Sequence, residues 1–114
     1  MYGPPWVWRW RRRGGPGRPR KPRMIWFRMQ GNVMFIPYSE GQILTDKEPI
    51  EILPDELEAM RLVYIDGLTQ DEAAKRMGVS RGTLWRALAS GRKKLVQAVI
   101  ELRPIIVAAK QQQQ

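Results

Sequence analysis

Cysteine and histidine are both absent from this 114-residue chain. Disulfides are therefore excluded, and so are the usual zinc and iron–sulfur ligand sets. Without either residue no convergent catalytic set appears, so the sequence reads as a non-enzyme with no metal and no cofactor. Long apolar runs are missing as well. Nothing approaches the ~20 residues of a membrane span. The N-terminus has basic residues with no apolar segment behind them, unlike a secretory signal. The absence of cysteine is compatible with the cytosol, and the expectation is a cytoplasmic protein with no membrane partner, nucleoid-associated on the DNA-binding reading reached below.

What the chain does have is positive charge, net +9. Residues 1–23 contain eight Arg or Lys and no acid, whereas residues 24–114 carry a net of only +1. The folded part is polarised too. Ten acids and two bases lie between Glu40 and Glu72, and seven bases with no acid lie between Lys75 and Lys94. A domain that orients itself on a polyanion has this asymmetry.

Residues 1–23, rich in Gly, Pro and Arg, read as a disordered basic arm. Trp6, Trp8 and Trp10 alternate with Val7, Arg9 and Arg11. Such a run suits stacking on bases or lying at a membrane surface, and a solvated extension without an ordered role is the simpler reading. Residues 17–23 resemble an AT-hook, an extended strand that inserts arginine into narrow A·T-rich minor grooves. A general phosphate-binding arm built from Arg18, Arg20, Lys21 and Arg23 accounts for them equally well. Residues 24–29 and 33–36 are apolar and flank Gln30-Gly31-Asn32, which predicts a small hairpin or extended segment. Residues 37–49 read as a loop.

Pro54 suits a first helical position, and Asp55, Glu56 and Glu58 then load the first turns as a solvated, dipole-favoured terminus. Leu57, Met60 and Tyr64 fall at helical spacing as an inward stripe, interrupted by Arg61 and joined by Leu53, Val63 or Ile65. Asp66-Gly67 ends this helix.

The densest signals lie in residues 67–89. Thr69 and Glu72 have the spacing of a capping box, so a helix is predicted from Gln70, with Asp71 and Glu72 in its first turn. Ala73, Ala74 and Met77 form its buried side. Gly78 stops it, Val79 plugs the turn, and Ser80 caps a second helix from Arg81. Leu84, Ala87 and Leu88 point to the core, with Arg81, Gly82, Trp85, Arg86 and Ala89 on the opposite side. That is the pattern of a helix-turn-helix, whose second helix enters the DNA major groove. The alternative is an ordinary helical hairpin in an all-α core. Beyond Ala89 the helix continues across Gly91, and Leu95, Val99 and Leu102 extend an apolar stripe. Arg92, Lys93 and Lys94 either reach phosphate or solubilise the surface. Pro104 breaks the helix. Residues 105–109 are too apolar for a free tail, and either pack back on the domain or form a homodimer contact. Residues 111–114 are expected to be disordered.

The expected fold is therefore mainly α. A three- to four-helix helix-turn-helix domain (53–103) follows the basic arm (1–23) and a hairpin or extended segment with its loop (24–52). An apolar, then Gln-rich, tail (104–114) ends the chain.

Residues 17–23, then 53–62, then 67–88 and the basic helix to Leu95 resemble a prokaryotic family of small proteins, domain of unknown function 134. The resemblance covers roughly residues 17–100. The later blocks are also similar to sigma-70 region 4, where the same motif reads a promoter element. What the resemblance implies is a DNA-binding fold of three or four helices. The chain departs from many relatives in its Trp-rich residues 1–16 and in lacking a cysteine-containing C-terminal extension, and it lacks the rest of a sigma factor.

The leading functional expectation is a transcriptional regulator that binds double-stranded DNA and meets the transcription machinery. Arg81, Gly82, Thr83, Trp85 and Arg86 would face base edges. Thr69, Gln70 and Ser80 at helix N-termini, with Arg92, Lys93 and Lys94, would hold phosphates. Two alternatives stand beside it. One is an architectural or RNA-binding protein whose affinity comes from the arm and the tryptophans. The other is a protein-docking module.

Overall fold

The computed structural model describes residues 2–8, 22–29 and 31–108. It corrects the expectation of a mainly α protein: the chain is mixed α/β. Among the described residues, two two-stranded sheets and one three-stranded sheet accompany the helices.

β1 (Tyr2–Trp8) pairs antiparallel with β2 (Arg23–Phe27). Residues 2–8, expected in a disordered arm, are thus a strand. The physical reason is the alternation of the tryptophans, since Trp6 and Trp8 share one face at the strand period of two. Trp8 is fully buried, and Trp6 donates from Nε1 to the Phe27 carbonyl at 2.7 Å and meets its ring edge-on. Burial of such large side chains offsets the entropy of ordering the strand.

The hairpin expected between residues 24–29 and 33–36 does not form. β3 (Val33–Phe35) pairs antiparallel with the last strand instead. β4 (Tyr38–Ser39) and β5 (Gln42–Ile43) make a small hairpin inside the expected loop. β6 (Ile50–Ile52) precedes the helices.

α1 (Pro54–Met60) begins at the proline, as the sequence predicts, and runs on as a π-helical turn over Arg61–Ile65. That turn carries the hydrogen bond from Asp66 N–H to the Arg61 carbonyl. A π turn holds an extra residue and rotates everything after it. Arg61 and Leu62 are therefore buried, while Tyr64 and Ile65, expected on the inward stripe, are exposed.

The acids of α1 also differ from expectation. Asp55, Glu56 and Glu58 are buried rather than solvated. Each meets a different cation: Arg23 from β2 lies 3.4 Å from Asp55, Lys94 lies 2.9 Å from Glu56, and Arg61 lies 2.7 Å from Glu58. Ser90 Oγ donates to Glu56 at 2.6 Å and the Trp26 backbone N–H donates to Glu58 at 2.7 Å. Burying ions is tolerable only with partners of this kind. Burial still pushes the Asp55 carboxyl up to about 6, against the opposing pull of Arg23.

α2 (Gln70–Met77) and α3 (Arg81–Glu101) follow, joined by a turn in which Gly78 takes the left-handed conformation at φ 71°. Both start where their caps predict. Thr69 and Glu72 exchange reciprocal capping bonds, and Ser80 Oγ accepts from Thr83 N–H. Ala73, Ala74, Met77, Leu84, Ala87 and Leu88 are buried together. Gly91, a weak point by propensity, is the close crossing of α3 over α1.

Leu102 ends α3 in a left-handed conformation, at φ 55°. The chain then enters β7 (Ile105–Val107), the middle strand between β3 and β6, antiparallel to the first and parallel to the second. The apolar tail is therefore an inner strand, and its β-branched run is what a strand paired on both edges requires. Of the two expected uses of this segment, packing back on the domain is the one seen within the chain, with Val107 buried. No helix among the described residues is long and apolar enough to cross a membrane.

Candidate nucleic-acid interface

The first two turns of α3 present Arg81, Gly82, Trp85 and Arg86 to solvent, on the side opposite the buried Leu84 and Leu88. Two caps and a glycine turn hold this face in position, while the buried side of α3 rests on α1 and α2. Trp85 is half exposed at 50%. The open half of the ring can contact another molecule.

The side chains around it form a loose polar network. Ser80 Oγ and Thr83 Oγ1 are 3.1 Å apart, and Arg86 Nη2 donates to Thr83 Oγ1 at 3.3 Å. Thr83 is half-buried. Arg81 lies 3.6 Å from Asp71 with both side chains largely in solvent, a pair worth little. The hydroxyl of Thr69 is occupied as a cap acceptor, and Gln70 is half-buried at the start of α2.

The basic cluster further along α3 separates into three environments. Lys93 is exposed. Arg92 is exposed and donates to the Tyr64 hydroxyl at 2.9 Å. Lys94, expected to reach phosphate, turns inward and donates to Glu56 and to the Glu51 carbonyl, both at 2.9 Å. The buried Glu56 carboxylate is the reason, since it needs a cation that α3 alone supplies there. Arg23 is likewise withdrawn from the expected arm into the core beside Asp55. Arg18, Arg20 and Lys21 lie outside the described residues.

One contact near the interface was not legible in the sequence. The Arg76 guanidinium lies 4.5 Å from the centroid of the Trp26 ring, and Trp26 Nε1 donates to the Arg76 carbonyl at 2.9 Å. β2 is thereby fastened to the C-terminal end of α2. Only the pairing of Trp26 and Arg76 across 50 positions reveals it, and no local pattern marks such a pair.

A family model described as "Protein of unknown function DUF134" matches residues 11–113. The chain belongs to this family. It is 48% identical over 101 residues to a UPF0251 protein of Pyrococcus furiosus, covering 83% of this chain and 86% of that one. It is 39% identical over 101 residues to a UPF0251 protein of Archaeoglobus fulgidus, covering 89% and 91% of the two chains. A UPF0251 protein of Pyrococcus abyssi is 61% identical over 59 residues, about half of either chain. No solved structure matches the chain significantly.

Proposed function

We propose that this protein binds double-stranded DNA through the N-terminal half of α3 and acts as a transcriptional regulator, with α2 and α3 as a helix-turn-helix similar to that of sigma-70 region 4. The observation that carries this reading is the outer face of α3. Trp85 and Arg86 are exposed on its first turns, and no acidic residue occurs from Lys75 to Lys94. Arginine bridges guanine O6 and N7, Thr83 and Trp85 suit a thymine methyl, and Gly82 leaves room for close approach. Arg92 and Lys93, one to two turns further on, suit phosphates beside the groove. Arg18, Arg20 and Lys21 add sequence-independent attraction to phosphate or the minor groove. The role is one of binding rather than catalysis, in the cytoplasm and at the nucleoid, with the transcription machinery as the natural protein partner.

The test is selection of bound sites from random duplex, followed by titration across salt. Salt-dependent binding with a large preference for one sequence supports the reading. Salt-dependent binding without preference replaces it with an architectural or RNA-binding role, and no binding at physiological salt leaves protein docking.

A further inference from the structure

The π turn that ends the first helix takes Tyr64 and Ile65 out of the core and sets them on the lining of a cleft. Turns of this kind are frequent at functional sites. The cleft has a volume of about 610 Å³. α1 and its π turn form one wall, α3 the facing one, and Phe27 and Arg28 at the end of β2 the third. At Leu57 and Leu95 it meets a second cavity of about 420 Å³, which both leucines also line. That cavity continues to Phe35 of β3 and Val107 of β7, and every residue lining it is apolar. Both volumes lie in the range of small-molecule sites.

Two features select the occupant. The first is where the charge lies. Arg92 stands one turn before Leu95 on α3, and Tyr64 about two turns beyond Leu57 on the facing wall. Arg92 Nη1 donates to the Tyr64 hydroxyl at 2.9 Å. The polar end of the cleft is therefore the end away from the apolar cavity. Arg61 also lines the cleft, but Glu58 and Asp66 hold its guanidinium. Arg28 and Arg92 are exposed, and neither forms an ion pair among the described residues. With Arg61 and its two acids included, the balance is one positive charge. An arginine facing a neutral hydroxyl is suited to a carboxylate, which it meets with two parallel hydrogen bonds.

The second feature is length. Cleft and cavity joined at Leu57 and Leu95 make an elongated apolar recess, the shape of an extended hydrocarbon chain. A nucleic acid has no apolar segment to fill it. A bilayer surface takes up a projecting amphipathic face, not a recess.

We propose that this recess binds a single-chain amphiphilic anion of the long-chain fatty acid class, with its carboxylate at Arg92, Tyr64 and Arg28 and its chain running past Leu57 and Leu95 towards β3 and β7. Arg92 is shared with the phosphate contacts of the DNA reading. Neither the proposal nor its test requires nucleic acid, so each reading stands or fails without the other.

Calorimetric titration of the full chain with octanoate and dodecanoate, both below their micellar range, tests it. Each dodecanoate should occupy one chain. A fully buried methylene is worth about fourfold in affinity, so dodecanoate should bind at least about tenfold tighter than octanoate. Dodecyltrimethylammonium, with the same chain and the opposite charge, should bind at least about tenfold more weakly than dodecanoate. Arg28→Gln and Arg92→Gln together should weaken dodecanoate about tenfold. Both side chains are exposed, so the melting transition should stay in place. Lys75→Glu removes as much positive charge from an exposed position on α2 outside the recess, and should leave dodecanoate binding unchanged. Absence of saturable dodecanoate binding overturns the proposal. So does equal binding of dodecyltrimethylammonium. An equal loss in Lys75→Glu also overturns it, because the attraction would then be that of a basic protein as a whole. Binding to anionic vesicles without binding of dodecanoate would make the region a membrane contact instead.

Discussion

Gly91 lies so close to Met60 that a Cβ added to the glycine would sit 2.7 Å from Met60 Cε. Met60 can swing its terminal methyl aside, but Glu56 Cβ, 3.2 Å from the same position, is one bond from the backbone and cannot. Alanine gains about 0.8–1 kcal/mol of helix propensity over glycine. Overpacking at such a crossing costs about 1–3 kcal/mol. Gly91→Ala is therefore expected to lose roughly 1 kcal/mol net in urea unfolding, near the middle of that range less the propensity gain. Gly82 is the control, since its nearest neighbour is Arg86 Nη1 at 3.6 Å. Gly82→Ala should leave stability unchanged or slightly raised, and equal losses at the two sites would contradict the close crossing.

Glu58 is fully buried and accepts hydrogen bonds from Arg61 and from the Trp26 backbone. Glu58→Ala removes the carboxylate that meets two nitrogens of the buried Arg61 guanidinium, while Asp66, partly exposed, still meets the third at 3.0 Å. The expected loss is about 3–5 kcal/mol, a large share of a small domain's stability. Melting temperature measures it, and a shift of only a degree or two would show that Glu58 is solvated.

Asp55 adds a pH dependence of known sign. Its folded pKa, about 6, lies above the unfolded value of 3.8. Between these values the folded state binds more protons, so stability contributed by this group is complete below 3.8 and declines as pH rises through 6. At 1.36 kcal/mol per unit the decline is about 3 kcal/mol. Asp55→Asn lacks this component. The stability of wild type minus that of the variant should fall between pH 4 and about 6.5 in denaturant melts. A difference that stays constant across that window would refute the shift.

β1 changes how the basic arm has to be tested. Deleting residues 1–23 removes Trp8 and Arg23 from the core along with the arm's charge. Trp8→Ala alone is expected to cost about 3–5 kcal/mol. Neutralising Arg18, Arg20 and Lys21 together avoids that confusion. It should make the salt dependence of DNA binding shallower, because fewer counterions are released. An unchanged salt slope would show that these three residues do not touch DNA.

Arg86 distinguishes base reading from phosphate neutralisation. It is exposed, and its hydrogen bond to Thr83 is long, at 3.3 Å. Arg86→Ala should therefore keep stability within about 0.5 kcal/mol. On the selected site it should cost about 1–3 kcal/mol and relax preference at one base-pair position. Titration against the site and its single-base-pair changes decides the matter. An equal loss on every duplex would remove Arg86 from base recognition.

What could be read from the sequence alone was whatever local chemistry controls. The Thr69–Glu72 box, Gly78 and Ser80 act through neighbours within four residues, so they determine the start and stop of α2 and the start of α3 without help from the rest of the chain. Pro54 does the same for α1. The buried side of α3 from Leu84 to Leu88, and hence the outward side with Trp85 and Arg86, follows from helical spacing once those boundaries stand. Other features depended on partners far apart in the chain. β1 needs β2, and β7 needs both β3 and β6, so residues 2–8 and 105–107 read alone as arm and tail. A three-residue apolar segment does not specify which edge it will pair with. The burial of Asp55, Glu56 and Glu58 was equally hidden. An acid-rich first turn is stable in water; Arg23 and Lys94, arriving from β2 and α3, make the burial of Asp55 and Glu56 tolerable, while Glu58 is held by Arg61, three residues on, and by the distant Trp26 N–H. The same long-range demand took Lys94 from the outer face, whereas Trp85 and Arg86, which nothing in the core requires, remained on it.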